Sequence, residues 1–360
     1  MTARILVLSR YSRLGASSRL RTRQYECWLQ DAGFEVEFSS FFDDDYLNYL
    51  YVGKTSKIKI FKYFYRRIKK MIAKPKPDII WLEYELFPWM PWFLESIILP
   101  LNIQIVCDYD DAIFHRYDQN QSFTIRKLLG NKIDKLMTAA SLVTVGNEYL
   151  AQRAGSLKKG HVEIVPTVVD ISQYQARKEE DFFNNKIVGW IGTPNTWEIY
   201  GKRKYKNLIE TLAKKDASFK AVGAKMHFEK NELLEIVPWQ ENTEVDSIRT
   251  MDIGVMPLDD TLWSKGKCGY KLIQYMACGV PVVASPVGVN KNIVDDGVNG
   301  FLVSTSREWE DAISKLLDDP ALAYKMGQAG RKKIQEEYSL DVWGPRVVRL
   351  FQSLLLEKSS

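Results

Sequence analysis

The sequence predicts an α/β protein built from two doubly wound parallel-sheet domains. Its 360 residues and 41.6 kDa exceed the roughly 250 to 300 residues at which single hydrophobic cores stop growing. Short apolar strands alternate with helical segments, which is typical of a parallel sheet covered on both faces. This pattern pauses after Val165 and then restarts. A composition of 46% hydrophobic and 26% charged residues excludes disordered, collagenous and membrane-spanning chains.

Five segments of the first half are predicted to be parallel strands. Residues 5–8, 79–82, 103–107 and 142–145 are short, branched runs of the kind that form buried strands, and residues 35–38 form the strand after the first helix. After the first run comes a loop with Gly15, and Ser17 or Ser18 is predicted to cap a helix that ends at Gly33. We therefore assign residues 1–165 to an N-terminal Rossmann-like domain.

A polar, charged stretch without periodicity separates the halves, and we interpret residues 166–185 as a linker. The second domain, 186–338, is predicted to contain strands 187–191, 220–222, 252–256 and 280–284 and helices 197–215 and 269–277. Two terminal helices meet near Ser339. We expect the last one, 339–360, to pack back toward the first domain.

The cysteines and apolar stretches bear on cellular setting. Cys27, Cys107, Cys268 and Cys278 form no CxxC pair and have no histidine at metal-ligand spacing, which disfavours a zinc module or a disulfide framework. The N-terminal run reads as a buried strand rather than a signal peptide. The apolar stretch 89–103 is too short and interrupted to span a bilayer. We expect a reducing, cytoplasmic setting.

The loop and helix at 263–288 form the most informative stretch. Ligands bind beyond the carboxyl ends of strands in open α/β sheets, and two such domains would form a cleft lined by both sets of loops. Lys267, Lys271 and Gln274 are spaced i, i+4, i+7, which predicts one helical face, and Lys265 precedes them. Ammonium groups beside helix N-terminal amides predict an anion site, most suited to a diphosphate.

Several segments together resemble the retaining glycosyltransferases of family 4, which have the two-domain GT-B fold. They include KLIQYMACGVPVVASPVGVNKNIVDDGVNGFLV, the GWIGTP turn, MDIGVMPL and MGQAGR. The resemblance covers most of the chain. It implies a donor site for a nucleotide sugar in the second domain, with Lys271 beside the diphosphate.

The resemblance also exposes two departures. The glutamate that typically holds the nucleotide ribose falls on Gln274, which can still hydrogen-bond a hydroxyl. The glutamate that typically contacts the donor sugar falls near Gly266. Neither position carries a carboxylate here, so the donor sugar is not specified.

Further donor-side candidates lie in loops that follow a first strand. Thr193 follows residues 187–191 in a turn with two glycines, where the backbone can approach a ligand closely. Gly15 and Arg19 lie after the first strand of the chain. Arg19 and Arg23, four residues apart, are predicted to point the same way and grip a phosphate. A plain tight turn and a surface arginine face are the structural alternatives.

The acidic stretch after residues 103–107 carries the catalytic candidates. Family members place a histidine or a His-Asp pair here, and Asp110 and Asp111 occupy those places. A carboxylate there could orient the sugar, accept the acceptor's proton or stabilise positive charge at the anomeric carbon. Because adjacent side chains at a strand end point in opposite directions, we favour Asp110. Glu83, Glu85 and His115 are acceptor-side candidates.

The remaining histidines and a short acidic pattern are not assigned to the site. We expect His161 and His227 to be structural or exposed rather than catalytic. Asp108-Tyr109-Asp110, like residues 43–45, matches the DxD pattern that holds a metal in glycosyltransferases of another fold. With a lysine-rich diphosphate site, we expect no metal and no other cofactor.

The predicted activity is transfer of a sugar from a nucleotide diphosphate donor to a hydroxyl acceptor with retention, in polysaccharide or lipid-linked glycan synthesis. A nucleotide-sugar 2-epimerase and a non-catalytic donor-binding pseudoenzyme remain alternatives. Nucleic-acid binding, suggested by a pI of about 8.7, has no accompanying fold signature, and we expect no nucleic-acid partner.

The net charge of +5 is concentrated in one segment. From Lys54 to Lys76 there are ten Lys or Arg residues and no acid. An apolar stripe of Phe61, Phe64, Tyr65, Ile68 and Ile72 and a basic face of Lys62, Arg66, Lys69 and Lys70 predict an amphipathic helix. It either packs on the first sheet with a solvated outer face or docks on an anionic membrane.

Overall fold

The computed structural model describes residues 2–51, 57–100, 102–157, 161–181, 185–224 and 232–359. Within these residues the chain forms two parallel six-stranded sheets with helices between the strands, so the predicted fold class is confirmed. His227 and Lys54 lie outside the described residues.

The first sheet has the order β2-β1-β3-β4-β5-β6. In β1, which lies between β2 and β3, Leu6 is in register with Glu37 on one side and Ile80 on the other. The strand order switches at β1: β2 is added on one side of it and β3 on the other. Open α/β sheets bind ligands at such a switch point. The strands are β1 Arg4–Ser9, β2 Glu35–Ser40, β3 Ile79–Glu83, β4 Gln104–Tyr109, β5 Leu142–Val145 and β6 Val162–Ile164.

The helices of this half connect successive strands. A π-helical turn, Ser18–Thr22, and a 3₁₀ turn, Arg23–Tyr25, lead into the first of them. The helices are α1 Glu26–Asp31, α2 Asp44–Tyr51, α3 Lys57–Ile72, α4 Trp92–Ile98, α5 His115–Asp118, α6 Phe123–Leu129, α7 Lys132–Ala139 and α8 Glu148–Leu157.

The second sheet has the order β12-β11-β10-β7-β8-β9, so its strand order switches between β7 and β10. Apolar cores cover both of its faces. The strands are β7 Ile187–Ile191, β8 Ser218–Val222, β9 Leu234–Val237, β10 Ile253–Met256, β11 Val282–Ala284 and β12 Gly300–Leu302. The helices are α9 Pro194–Thr196, α10 Lys202–Lys214, α11 Glu244–Arg249, α12 Leu262–Lys265, α13 Tyr270–Ala277, α14 Asn290–Ile293, α15 Ser306–Asp318, α16 Pro320–Glu337 and α17 Leu340–Ser359.

The chain divides into two compact units. The first comprises Met1–Thr167, Gly266–Cys268 and Trp343–Ser360, and the second comprises Val168–Lys265 and Gly269–Val342. Most of α17 therefore belongs to the first unit. There Phe351 packs on Trp81 of β3, with ring centroids 4.8 Å apart.

Three of the described strands, β6, β9 and β12, were not predicted from the sequence. Each lies at an edge of its sheet. Their residues are mostly half-buried or exposed, so they lack the continuous apolar run by which the buried strands were identified.

Helix α3 packs on the core of the first unit, but only part of its predicted apolar stripe does so: Phe64 and Ile68 contact that core. Phe61, Tyr65 and Ile72 are 79%, 70% and 67% exposed, whereas Tyr63 and Arg67 are buried. The helix turns this other face to the sheet because the Arg67 guanidinium donates to the carbonyl of Ser9 and the Tyr63 hydroxyl donates to Asp43.

The predicted basic face of α3 is also partly engaged with the protein. Arg66 donates to the carbonyls of Ser40 and Phe41, and Lys70 pairs with Glu37. Along the described part of the chain, no helix has the length and apolar character that crossing a bilayer requires.

Candidate active site

The first cluster of predicted residues lies at the carboxyl edge of the second sheet, where β7 ends. Gly192 is followed by Thr193, which caps the next helix: its Oγ1 accepts from the Thr196 amide, and Thr196 Oγ1 accepts from the Thr193 amide. A Cβ on Gly192 would lie 2.7 Å from the Trp190 ring. The local structure therefore accounts for both the glycine and the threonine, independently of any ligand contact.

Lys271 lies in the first turn of α13, close to the end of β7. Its Nζ is 5.4 Å from the centroid of the buried Trp190 ring. Tyr275, one turn further on, accepts a hydrogen bond from the Ile191 amide at 2.9 Å. These contacts fix α13 against β7. They also place an ammonium group near the end of β7, beside the switch in strand order between β7 and β10.

Gln274 faces the protein interior and is only 2% exposed. Its Nε2 donates to Oε1 of Glu244 and lies 3.4 Å from the Tyr174 hydroxyl. The other Glu244 oxygen accepts from the Trp239 indole. A buried carboxylate thus stands beside the position at which the resemblance leads one to expect a glutamate, but it is supplied by α11.

Lys267 does not share the helical face predicted for it with Lys271 and Gln274. The helix begins only at Tyr270, after Gly269 adopts a left-handed conformation with φ of 66°. This conformation ends the preceding loop and favours glycine. Lys265, at the end of α12, pairs with Asp260 at 3.3 Å.

The tripeptide Gly266–Cys268 packs in the first unit, against the loop that follows β4. The Lys267 Nζ lies 3.6 Å from Oδ1 of Asp111. The Cys268 thiol donates to the Asp110 carbonyl at 2.9 Å. A Cβ on Gly266 would lie 2.5 Å from Ala112, so a glutamate is sterically excluded at this position.

Asp110 lies at the carboxyl end of β4 and is partly buried. Its Oδ1 accepts from the Tyr84 hydroxyl, and Ser17 also hydrogen-bonds its carboxylate. Burial, reinforced by the negative charge of Asp111 and opposed by Arg21, raises the pKa of Asp110 to about 6. A carboxylate poised near neutral pH in this way is typical of acid-base and electrostatic roles.

Glu83 ends β3 and is 1% exposed. Its Oε2 accepts from Ser18 Oγ at 2.6 Å and from the Arg10 amide at 3.1 Å, whereas Oε1 has no hydrogen-bond partner among the described residues. Burial raises the pKa of Glu83 to about 8. The serine therefore binds a carboxyl group instead of capping a helix, and Ser17 likewise makes no capping bond.

Glu85 belongs to a buried ion-pair network. Lys132 lies 2.7 Å from Glu85 and 2.7 Å from Glu95, Arg10 lies 3.2 Å from Glu85, and the Tyr117 hydroxyl donates to Glu85 at 2.7 Å. These partners give Glu85 a structural function beside the acceptor-side role predicted for it.

The other predicted residues of the first unit also have protein partners. His115 is buried, with Nδ1 2.8 Å from Asp118 and Nε2 2.8 Å from the Tyr149 hydroxyl. Arg19 donates to the Arg13 carbonyl at 3.3 Å. Arg23 stacks on the Phe38 ring at 4.4 Å, and Arg19 lies in the π-helical turn before it.

Gly15 is buried against Tyr11, and a Cβ at this position would lie 2.5 Å from the Tyr11 Cβ. In the DxD-like pattern, Asp108 is taken up by Arg21, at 2.7 and 2.9 Å, and by Thr144 at 2.6 Å. No group of three or more His, Cys, Asp or Glu side chains that could hold a metal ion occurs in the described ranges.

The structure thus gathers the predicted residues at two sheet edges. Thr193, Lys271 and Gln274 lie at the edge of the second sheet. Asp110, Asp111 and Lys267 lie together in the first unit. Sequence reasoning missed Tyr84, Ser17 and Glu244, which hold Asp110 and Gln274; a tyrosine or serine in a loop gives no signal of such a contact.

The fold defines the class of protein. Sucrose-phosphate synthase from Thermosynechococcus elongatus superposes with a TM-score of 0.72 at 16% identity, over 99% of this chain and 100% of that one. Anabaena Alr3699/HepE, solved in complex with UDP-glucose, gives 0.71 at 15% identity, over 97% and 99%. The chain has the GT-B fold of glycosyltransferases.

Sequence comparison finds similarity in the second half of the chain. Residues 186–319 match the family model described as Glycosyl transferases group 1. A GDP-mannose-dependent monoacylated alpha-(1-6)-phosphatidylinositol monomannoside mannosyltransferase of Corynebacterium glutamicum is 24% identical over 245 residues, 61% of this chain and 64% of the relative. A D-inositol 3-phosphate glycosyltransferase of Arthrobacter sp. is 36% identical over 83 residues, 22% and 18%. The matches span less than two thirds of these relatives.

Proposed function

We propose that the protein transfers a sugar from a nucleotide diphosphate donor to a hydroxyl acceptor with retention of the anomeric configuration. The observation that carries the proposal is the placement of Lys271 beside the switch in strand order of the second sheet, inside the region that matches the glycosyltransferase family model. An ammonium group there is suited to the diphosphate of the donor.

In the proposed reaction the bond between the anomeric carbon and the phosphate oxygen breaks, and its electron pair leaves with the nucleoside diphosphate. The acceptor oxygen forms the new bond on the same face of the sugar and gives up its proton to Asp110 or to the departing diphosphate. Lys271 stabilises the leaving diphosphate. Asp110 either accepts that proton or, where the diphosphate accepts it, stabilises the positive charge that develops at the anomeric carbon, and both roles require an ionised carboxylate.

Metal independence is part of the proposal. Lysine ammonium groups supply the positive charge that a divalent cation provides elsewhere. Donor turnover should therefore be the same with and without a chelator. Loss of turnover in EDTA that Mg²⁺ or Mn²⁺ restores would contradict this part.

Donor binding provides the first test. Calorimetry against UDP-, GDP-, ADP- and CMP-linked sugars should identify one that binds, and Lys271→Ala should weaken its binding about ten- to a hundredfold, since a charge-assisted contact contributes about 1.5 to 3 kcal/mol. The matched control is Lys332→Ala, on the exposed surface of α16, which should bind as wild type. The proposal fails if no nucleotide sugar binds at millimolar concentration.

Turnover separates transfer from donor binding alone. Release of nucleoside diphosphate that depends on an acceptor supports transfer, and Asp110→Asn should abolish most of it while leaving donor affinity within a few fold. Binding without release would instead identify a pseudoenzyme. Interconversion of the free nucleotide sugar with its 2-epimer would identify an epimerase.

The acceptor class we propose is a growing polysaccharide or a lipid-linked glycan, with the protein on the cytoplasmic face of a membrane. The curated relative from Corynebacterium glutamicum is named for a lipid-bearing acceptor. In this chain α3 exposes Phe61, Tyr65 and Ile72 together with Lys62 and Lys69. Apolar and basic side chains on one exposed face suit an anionic bilayer, at about 1 kcal/mol per basic residue near the surface.

Vesicle flotation tests this surface. Wild-type protein should float with phosphatidylglycerol vesicles at low salt and less at high salt, because screening weakens the attraction. Lys62→Glu/Lys69→Glu should abolish flotation, whereas the control Lys332→Glu, on the exposed part of α16, should not. Absence of wild-type binding at low salt would end this part of the proposal.

A further inference from the structure

Tyr84 has a backbone conformation that its side chain does not favour. Its φ is 64°, in the left-handed region, where a non-glycine residue costs roughly 1 to 2 kcal/mol. The strain persists because the surroundings determine the conformation: the Tyr84 amide donates to the Asp108 carbonyl of the neighbouring strand at 3.0 Å, and the side chain is 5% exposed. Strain of this kind often marks a functional position.

The strained conformation directs the Tyr84 phenol to one carboxylate. The hydroxyl donates to Oδ1 of Asp110 and lies 3.1 Å from Ser17 Oγ. Three loops therefore meet at Asp110: the start of the helical turn after β1, the end of β3 and the end of β4. Packing of the ring, which stands 6.3 Å from the Tyr109 ring, would be served equally by phenylalanine, so the hydroxyl is the part of Tyr84 that the packing leaves unexplained.

We propose that Tyr84 is a positioning residue that, with Ser17, fixes the orientation of the Asp110 carboxylate for sugar transfer. The inference rests on the proposed function, in which Asp110 is the reacting carboxylate. Tyr84 acts through Asp110 and does not itself take part in bond making.

Several charged or titratable groups face Asp110. Asp111 on the same segment disfavours its ionised form, and Arg21, from the turn after β1, favours it. Glu83 of β3 and the Cys268 thiol also interact with it electrostatically. Within this group the Tyr84 and Ser17 hydrogen bonds lower the pKa of Asp110, so loss of either bond should raise it.

The experiment compares Tyr84→Phe with wild type by two readouts. The titration of Asp110 is followed by NMR of protein labelled at the aspartate carboxyl carbons, with Asp110→Asn giving the assignment. Release of nucleoside diphosphate from UDP-glucose, or from the nucleotide sugar that binds best, is followed over about pH 5 to about pH 9. We expect the Asp110 midpoint and the acid limb of kcat/KM to move upward together by about half to one pH unit, with donor KM changed less than twofold.

Tyr63→Phe is the matched control, since it removes a phenol hydrogen bond to a different aspartate, Asp43, at 2.7 Å. It should leave both curves at their wild-type positions. If Tyr84→Phe does not fold, Ser17→Ala tests the same arrangement by removing the other hydrogen bond.

The two readouts distinguish the ways of failing. If neither the NMR midpoint nor the acid limb moves, Tyr84 does not position Asp110 and the inference is overturned. If the midpoint moves and the limb does not, Asp110 is not the reacting carboxylate, and its role in the proposed function is overturned along with the inference.

Discussion

The Gln274 side chain donates a hydrogen bond to the carboxylate of Glu244, and both residues are buried. This contact explains why an amide suits position 274. A second carboxylate there would face Glu244 in a site with little water, and two adjacent buried negative charges disfavour each other. The carboxylate at this place is supplied by Glu244 of α11, and α13 supplies the amide of Gln274.

Restoring a glutamate at position 274 should therefore harm the protein. We expect Gln274→Glu to lower the free energy of unfolding by about 1 to 3 kcal/mol near neutral pH, because it replaces a donor by a second acceptor in a buried pair. The double variant Gln274→Glu/Glu244→Gln exchanges the two groups and should recover most of this loss. Urea unfolding measures both variants.

The control for this exchange is Gln335→Glu, at an exposed position of α16, which should unfold like wild type within about 0.5 kcal/mol. If Gln274→Glu is as stable as wild type, or if the double variant is no better than the single one, the Gln274–Glu244 contact does not explain the residue at 274.

The buried strands could be predicted from the sequence because their signal is local. Residues 142–145 and 187–191 coincide with β5 and β7, since a short run of branched apolar residues has few other stable placements in a fold whose sheets are covered on both faces. The residues of the edge strands β6, β9 and β12 are mostly half-buried or exposed. These strands are short and lack a continuous buried apolar run, so their sequences do not distinguish them from loops.

The burial of Arg67 in α3 could not be predicted from the sequence. The apolar period places Phe61 and Tyr65 in one stripe, yet the folded chain leaves both exposed and buries Arg67, whose guanidinium donates to the carbonyls of Ser9 and Ser39. Hydrogen bonding of this kind depends on distant strands and overrides the local apolar pattern.

For the candidate site, the sequence identified residue types and loops but not partners. Lys271 was identified by its place in a motif. The neighbours of Asp110 come from sequence positions 17, 21 and 84, and only the order of the strands brings those positions together.

The buried ion pairs of Lys132 lead to a second prediction. Lys132→Met keeps the volume of the side chain but leaves Glu85 and Glu95 without their shared cation. Removing one partner of a buried pair typically costs about 3 to 5 kcal/mol, so we expect a loss of this order in the free energy of unfolding, measured by urea titration.

Lys127→Met is the control for the lysine change, because Lys127 is exposed on α6 and should change stability by less than about 0.5 kcal/mol. Equal stability of Lys132→Met and Lys127→Met would show that Lys132 does not hold the two carboxylates together. Arg10 also pairs with Glu85, so a variant of both cations should lose more than Lys132→Met alone.

Glu83 should make the stability of the protein depend on pH. Burial raises its folded-state pKa to about 8 from an ordinary value of 4.5, so the folded state binds a proton that the unfolded state releases. The associated stability is fully present below about pH 4.5 and is lost as the pH rises through about 8, by an amount on the order of a few kcal/mol.

Glu83→Gln removes this titration while keeping an oxygen that accepts from Ser18 and from the Arg10 amide. We expect the variant to unfold at a higher urea concentration than wild type at about pH 9, and the gap to close toward about pH 4, where position 83 is neutral in the folded proteins and mostly neutral in the unfolded ones. Glu26→Gln, on the first turn of α1 and only half-buried, should follow the wild-type curve at every pH. A gap for Glu83→Gln that is constant across the pH range would mean that the carboxyl group of Glu83 does not titrate between these limits, and that its burial does not favour the neutral form.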